Sequence, residues 1–427
     1  MILFFKTNFS KLILKKLQSE TTSNHFDLIV IGGGAAGYFS AIQYAERKEN
    51  KHILILEKSE KVLSKVRVSG GGRCNVTHAC FDPQEMTTNY PRGNKELLGP
   101  FHRFLCGDMM AWLSEHDVET KIESDGRVFP VSDNSESIIR CFENCCRDFK
   151  IKVKTGCAVQ QIFFENNIWS LKTATENYSA NAILFATGSS NAAWQILADI
   201  GHTIIPPVAS LFTFNIQHHL LSGLQGIAIE KVSITIPETT LQSEGPLLIT
   251  HWGLSGPAIL KLSAWAARVL AEKNYRFNIL INFCVQDAEV IRNTFQLFRT
   301  EHGKRNIILY PLFNIPKRLW QRMAEILKTE NLNYGSLNTK QTDAWVQMLC
   351  ACNLPVNGKS VFKEEFVTCG GVDTKEINFT TMESKLFPGL YFAGEVLNID
   401  AVTGGFNFQA AWTCAYIAAE AIAAKHN

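Results

Sequence analysis

The chain has 427 residues, 46% of them hydrophobic and 19% charged, with a formal net charge of +2. The composition is that of a globular protein, and the length calls for two or three domains. The near-neutral charge excludes a global polyanion-binding surface but leaves room for a local basic groove. No DNA partner is expected, and the sequence leaves the oligomeric state open.

Twelve cysteines are scattered without a Cys-x-x-Cys pair. Cys145-Cys146 and Cys350-x-Cys352 lack metal-site spacing, and Cys141 and Cys145 share a helix face. Buried or idle thiols in a reducing cytosol fit better than disulfides or zinc, so a cytoplasmic protein without a metal is expected. No stretch reaches the roughly 18 to 20 apolar residues of a membrane span.

Residues 1–25 form an N-terminal extension. Phe5, Phe9, Leu12, Ile13 and Leu17 can line one helix face, with Lys6, Lys11, Lys15 and Lys16 nearby. The apolar run is too short for a signal peptide. A membrane-surface helix is one reading; a weakly ordered extension is the favoured one.

Asp27 to Ile31 reads as a strand buried on both faces. Gly32, Gly34 and Gly37 follow at G-x-G-x-x-G spacing, then a helix from Ala35 to Arg47. A second buried strand ends on Glu57, twenty positions after Gly37. In a dinucleotide site Gly32 permits the tight turn, Gly34 the approach of a pyrophosphate, and Gly37 close helix–strand packing. The helix N-terminus stabilises phosphate charge, and Glu57 accepts from the adenosine ribose hydroxyls.

Lys65 to Asn75 contains Ser69-Gly-Gly-Gly-Arg-Cys-Asn75. Its glycines suggest backbone lying flat against a cofactor, with amides available as donors and Lys65, Arg73 and Asn75 around it. Residues 97–116 look like one helix. Arg127 is a substrate contact or a structural salt bridge. Ser135 to Phe149 reads as a helix, and Ile151–Val159 and Ile162–Leu171 as strands. Ala182 to Gly188 is a buried strand ending in a small-residue turn.

From Ile204 to Cys284 short β-like runs suggest an inserted barrel or sandwich. Within it, Ser255 or Gly256 caps a helix that starts at Pro257. His251, just before that helix, is either a proton donor or a backbone-satisfied histidine. Residues 285–350 read as three helices, Ala288–Phe298, Pro316–Thr329 and Thr339–Ala351. They carry Arg299, His302, Lys304, Arg305, Lys317, Arg318, Arg322 and Lys328, a solvated face or an RNA contact. From Phe362 the α/β character returns. Gly389 to Gly394 is a strand followed by Glu395. Gly404-Gly405 opens a long Ala-rich helix whose N-terminal amides suit an anionic ring edge.

These motifs together resemble the aminoacetone-oxidase-like family of bacterial FAD-binding proteins. The resemblance rests on Gly32-Gly-Gly-Ala-Ala-Gly37, Ser69-Gly-Gly-Gly-Arg-Cys-Asn75, Gly126-Arg-Val-Phe-Pro130, Thr250-His-Trp-Gly-Leu-Ser-Gly-Pro-Ala258, Val367-Thr-Cys-Gly-Gly371, and Gly394-Glu-Val-Leu397 with Gly404-Gly-Phe-Asn407. It covers about residues 26–425. It implies an α/β fold, with a glutathione-reductase-like FAD-binding Rossmann domain interrupted by a β-barrel and a small helical domain. The expected layout is 26–190 and 366–427 for the FAD domain, 191–284 and a return strand at 351–365 for the barrel, and 285–350 for the helices.

Family members are connected with enone reduction on bile acids, amine oxidation, and dihydrouridine formation in large-subunit ribosomal RNA. Two departures stand out. Ser189 to Trp194 replaces a longer loop after Thr187-Gly188, and His78 stands where the family has Asn.

The expected enzyme is an FAD-dependent reductase of an activated carbon–carbon double bond, with NADPH or NADH as a transient donor, since no second dinucleotide motif is present. Its substrate is uridine in ribosomal RNA or a small unsaturated carbonyl compound. The rivals are an enone reductase, an amine oxidase, or an RNA-binding protein with structural FAD. Expected cofactor contacts are Gly32, Gly34, Ala35, Ala36, Gly37, Glu57, Lys58, Lys65, Ser69, Gly70, Gly71, Gly72, Arg73, Asn75, Val159, Thr187, Gly188, Gly394, Glu395, Gly404, Gly405 and Asn407. Cys74 and His251 are the candidate proton donors.

Overall fold

The computed structural model describes residues 24–359 and 367–425. The amphipathic reading of residues 1–23 and the proposed return of α/β character at Phe362 lie outside the described residues. Two compact units are present: Met1–Pro207 with Gly370–Asn427, and Val208–Cys369.

The first unit is built on a parallel sheet. Its strands run in the order Lys152–Lys154, Ile53–Leu56, His25–Ile31, Asn177–Phe185 and Leu390–Phe392. Ile53–Leu56 is buried at every position, as a strand covered on both faces must be. Two short antiparallel strands, Glu383–Ser384 and Ile377–Asn378, extend one edge. The antiparallel pair Val159–Glu165 and Ile168–Thr173 joins through Asn177–Phe185.

The helices Ala35–Arg47 and Phe406–Lys425 pack on each other, and Phe39 meets Trp412 at 5.6 Å between ring centroids. Phe104, Trp112 and Phe142 surround the same ring.

The first strand begins at His25, and Asn24 already takes part, since its carbonyl accepts from the Ser179 N–H at 3.0 Å. The expected boundary at residue 26 is therefore one to two residues late. The single helix expected over 97–116 is two, Asn94–Phe101 and Cys106–Glu115. The Asp108 carboxylate accepts from the Leu105 N–H at 2.6 Å and starts the second.

In the second unit seven strands pair in the order Cys352–Val356, Phe277–Asn282, Ala228–Thr235, Gln242–Ile249, Gly253–Ser255, Phe214–Asn215 and Gly358–Lys359. The two end strands of this path are separated in sequence by Asn357 alone. A sheet whose opposite edges are joined through one residue has to curl, which gives the barrel its closure. The Asn357 N–H donates to the Asn215 carbonyl at 2.9 Å across that seam.

The barrel and the helices Ala288–His302, Lys317–Ile326 and Thr339–Cys350 share one apolar core. Phe214, Ile234 and Ile279 from strands join Phe295, Trp320 and Trp345 from helices. The Trp320 and Trp345 rings stack at 4.3 Å. The separate barrel and helical domains expected from sequence are thus one unit. The helix Asn191–Asp199, expected in the barrel segment, precedes it in the first unit.

No helix among the described residues is long and apolar enough to cross a membrane.

Candidate functional site

The glycine turn after the first strand shows two kinds of glycine. A Cβ added to Gly37 would lie 1.9 Å from the Gly32 carbonyl oxygen, and one added to Gly32 would lie 2.4 Å from the Ala186 carbonyl oxygen. Packing of helix on strand forbids a side chain at either. A Cβ on Gly34 would meet nothing within 4 Å. Gly34 is the N-cap of the helix Ala35–Arg47, with no side-chain cap. The first-turn amides, including those of Ala35 and Ala36, therefore lack a capping partner beside open space, with the positive end of the helix dipole behind them.

Glu57 is already at work on that turn. Its carboxylate accepts from the Gly33 N–H at 2.7 Å and from the Ser59 N–H at 2.8 Å. One lone pair on each oxygen remains for another donor. The Glu57 carbonyl accepts from the Cys157 N–H at 2.8 Å, which brings the chain leading to Val159 alongside. Lys58 Nζ lies 3.4 Å from Ser190 Oγ, at the start of the helix Asn191–Asp199.

The glycine run is a broken helix. A helical turn begins at Ser64 and breaks at Ser69, after which Gly70 and Gly71 adopt left-handed backbone at φ 57° and 70°. Gly70 sits against Asn75 and Phe129, whereas Gly71 and Gly72 face open space. Ser69 Oγ donates to the Val66 carbonyl at 3.0 Å, and the Ser69 carbonyl accepts from the Cys74 N–H at 3.0 Å.

Three expected contacts are spoken for elsewhere. Arg73 lies 3.8 Å over the Phe129 ring and pairs with Glu123 at 2.6 Å and Asp133 at 3.4 Å. It staples the glycine run to the strand Arg127–Pro130. Asn407 clasps the preceding turn, accepting from the Ala401 N–H at 3.0 Å and donating to the Ala401 carbonyl at 3.1 Å. Arg127 is a salt bridge, to Asp125 at 2.8 Å and Glu123 at 3.2 Å.

Cys74 is fully buried at φ 63°, and burial pushes its thiol up to about 12. A thiol held there keeps its proton and is shut off from solvent, which weighs against the proton-donor reading. His251 is exposed in the turn between Gln242–Ile249 and Gly253–Ser255 of the second unit. Gly256, not Ser255, caps the helix Pro257–Trp265.

Other expected residues do converge. Lys65 and Glu395 form an ion pair, and a Cβ on Gly188 would lie 3.7 Å from the Glu395 carboxylate. Gly394 lets Ala36 and Ala411 approach, 3.3 and 3.6 Å from where its Cβ would be. At the second glycine turn a Cβ on Gly405 would lie 2.5 Å from Thr77 backbone atoms. His78 closes that turn: Nδ1 lies 3.1 Å from the Gly404 carbonyl oxygen, and its ring stacks on Phe406 at 4.5 Å. Thr77 Oγ1 donates to Gln409 Oε1 at 2.6 Å, and Gln409 Nε2 donates to Thr413 Oγ1 at 3.1 Å. Thr77 and Gln409 carry no sequence signal of this; His78 was visible as a departure from the family pattern.

Unmet hydrogen bonds show how these residues fit a dinucleotide. Asn75 Oδ1, Thr187 Oγ1 and Asn398 Oδ1 are buried without a protein partner. Leaving a buried polar atom unpaired costs about 1–3 kcal/mol. All three belong to the segments that carry the glycine run, the Thr187-Gly188 turn and the approach to Gly404-Gly405. Together with the open space at Gly34, Gly71 and Gly72, they fit a polar group that completes them.

The basic helices are less free than their composition implies. Arg318 donates to the Gly223 carbonyl at 2.5 Å and Arg322 to the His219 carbonyl at 2.9 Å. Both tie the helix Lys317–Ile326 to the turn before Ala228–Thr235.

Comparison with known proteins gives a match to the family described as "HI0933-like protein Rossmann domain" over residues 26–421. A ribosomal RNA dihydrouridine synthase of Escherichia coli is 29% identical over 94% of this chain and 99% of its own length. A 3-dehydro-bile acid delta(4,6)-reductase of Clostridium scindens is 26% identical over 93% of this chain and 98% of its own. Among solved structures, a flavocytochrome c3 fumarate reductase aligns at TM-score 0.50 and 13% identity, covering 98% of this chain and 81% of the other. A 3-ketosteroid-delta4-(5alpha)-dehydrogenase from Rhodococcus jostii RHA1 aligns at TM-score 0.50 and 10% identity, covering 94% and 97%.

Proposed function

Because the chain belongs to the HI0933-like Rossmann family of FAD-dependent oxidoreductases, we propose that it reduces an activated carbon–carbon double bond at the expense of NADPH or NADH. The favoured substrate is uridine in ribosomal RNA. The observation that carries the cofactor reading is Gly34, the uncapped head of a helix beside open space, with Glu57 pinned next to it.

Flavin, when bound, supplies reversible hydride transfer. The protein's residues do the rest. The first-turn amides after Gly34 hold the pyrophosphate, and the spare lone pairs of Glu57 hold the ribose. Gly71 and Gly72 offer backbone without side chains to a flat ring. The amides at Gly404-Gly405, in a turn fixed by His78 and Asn407, would suit the anionic edge of that ring.

The uridine assignment is supported by the dihydrouridine synthase relative rather than by the basic helices, whose Arg318 and Arg322 are turned onto the protein's own backbone. The bile-acid relative supports a second reading, a small enone. Both acceptors present a double bond conjugated to a carbonyl.

The test is anaerobic. NADPH and NADH are each mixed with the purified protein while flavin absorbance is followed. The reduced protein is then given protein-free ribosomal RNA or a steroid enone, and the oxidised protein, separately, a small amine. Flavin reoxidation with dihydrouridine in the RNA supports the assignment. Reduction by amines with no turnover on either unsaturated acceptor overturns it.

A further inference from the structure

The second unit carries a group of cationic side chains apart from Arg318 and Arg322. Between residues 292 and 310 stand Arg292, Arg299, Lys304 and Arg305 against one carboxylate, Glu301. They lie along the helix Ala288–His302 and the turn after it.

A small cleft opens beside this helix. Arg292, Gln296 and Arg299 line it from Ala288–His302, Thr339 and Asp343 from Thr339–Cys350, and Tyr334 from the turn between them. Its floor belongs to the core of the unit: the buried Tyr334 and Phe295 rings lie 5.9 Å apart, and Phe295 lies 5.9 Å from Trp345. Such a floor is in place before any ligand arrives. The cleft measures about 80 Å³, against roughly 300–1,000 Å³ for a pocket that takes a drug-sized ligand. It admits one small group and no ring system.

The charge balance sets the sign of that group. Arg292 is neutralised by Asp343 at 2.6 Å. Arg299 is exposed and pairs with no carboxylate among the described residues. The Gln296 amide and the Thr339 hydroxyl, also without a protein partner among those residues, add uncharged donors. One guanidinium fork is enough for the two oxygens of a carboxylate. Further donors beside it suit the additional oxygens of a phosphate.

The cleft is tied to an aromatic platform. The Tyr334 N–H donates to the Arg305 carbonyl at 3.0 Å, and the Tyr334 hydroxyl donates to the Tyr310 carbonyl at 2.6 Å. The Arg305 guanidinium lies 4.7 Å over the Tyr310 ring, and that ring is 41% exposed. A cation for the backbone and an open ring for the base are the two parts of a single-strand binder. A free phosphate would use the cleft and leave the ring idle.

We propose that this cleft is a phosphodiester-binding site for single-stranded RNA, with Arg299 as the phosphate contact and Tyr310, backed by Arg305, as the surface on which a neighbouring base stacks. This rests on the ribosomal RNA reading above and names a place where a nucleotide of that RNA is held within the second unit.

The experiment measures equilibrium binding of the full-length flavoprotein to a fluorescent single-stranded ribosomal RNA fragment over a salt series. The variants are Arg299→Ala, Tyr310→Ala and Tyr310→Phe, with flavin content and melting temperature read alongside. The fragment annealed to its complement, and inorganic phosphate as competitor, complete the set. Arg299→Ala should weaken binding about fivefold or more at low salt and flatten the slope of log K against log salt by about 0.7, one phosphate contact on a single strand. Tyr310→Ala should weaken binding about fivefold or more with the slope unchanged, and Tyr310→Phe should bind like the unaltered protein. The duplex should bind less tightly than the single strand. Unchanged affinity in both alanine variants overturns the site. Weaker binding in Arg299→Ala with an unchanged slope means a damaged fold rather than a lost charge, and overturns it as well. Competition by phosphate together with no effect of Tyr310→Ala leaves an anion site only and overturns the RNA assignment. A protein that binds RNA in the expected pattern yet forms no dihydrouridine overturns the reductase reading instead, and the site stands.

Discussion

The Arg92 guanidinium makes a two-pronged ion pair with the fully buried Asp400 carboxylate, 2.5 Å from Nε to Oδ1. The pair fastens the turn around residues 89–93 to the segment that leads into Gly404-Gly405. Around it, the Val402 N–H donates to the Asn89 carbonyl at 2.9 Å, and the Tyr90 hydroxyl to the Phe406 carbonyl at 2.5 Å. Removing one partner leaves the other charge buried. Arg92→Ala should therefore lose about 3–5 kcal/mol of stability, read from urea unfolding. Asp400→Asn should lose flavin at urea concentrations that leave the wild-type protein yellow.

Gly34 and Gly37 should fail differently. Gly34→Val places its side chain in open space, so the folded circular dichroism spectrum should survive while flavin is lost. Gly37→Val drives Cβ into the Gly32 carbonyl and should give insoluble protein. Folded Gly34→Val with normal flavin occupancy would mean that the pyrophosphate lies elsewhere.

Cys74→Ala should keep flavin reduction and acceptor turnover within about twofold, because the thiol is buried and raised to about 12. Its cost is in packing, about 1–2 kcal/mol for a lost buried sulfur without collapse. A hundredfold loss of turnover with intact flavin would restore it as a proton donor.

Acid should destabilise the first unit through His202. Its ring is buried, with Nδ1 2.7 Å from Glu376 and Nε2 3.0 Å from Ser384 Oγ. Burial holds its pKa below 6.5 in spite of Glu376. The folded state thus binds its proton less readily than the unfolded chain. The stability is complete above 6.5 and is lost as pH falls from there through the folded value. Urea midpoints should drop between pH 7 and 5, and the drop should shrink in His202→Gln.

Removal of residues 1–23 should leave flavin content unchanged, since the described strand pairing starts at Asn24. Removal through His25 should not be neutral: it also takes the 2.9 Å contact between His25 and Ser179. Flavin content after each truncation checks both.

The elements most legible in the sequence were those fixed by local chemistry. The first strand–turn–helix and the three helices of the second unit follow from hydrophobic spacing and glycine placement. The hairpin at Asn166-Asn167 did not, and residues 162–171 looked like one strand. Both asparagines are left-handed, at φ 51° and 61°, in a turn whose strong sequence signal would be Asn-Gly. At the site, the close-packed glycines could be read from spacing alone. Arg73 could not, because its partners Glu123 and Asp133 are 50 and 60 residues away. Nor could the shared core of barrel and helices, since amphipathic helices announce an apolar face without naming what covers it.

The first unit's sheet is assembled from both ends of the chain, whereas the second unit is one continuous segment. During synthesis, which runs from the N-terminus, the barrel and its helices have all their residues before the first unit does. Until Leu390–Phe392 emerges, the strand Asn177–Phe185 keeps an unpaired edge. Until Phe406–Lys425 follows, Phe39 and its neighbours lack the Trp412 ring that covers them. The nascent protein therefore passes through a state with a finished insert and an open, sticky cofactor domain, and that is the stage at which chaperone capture and misassembly would concentrate.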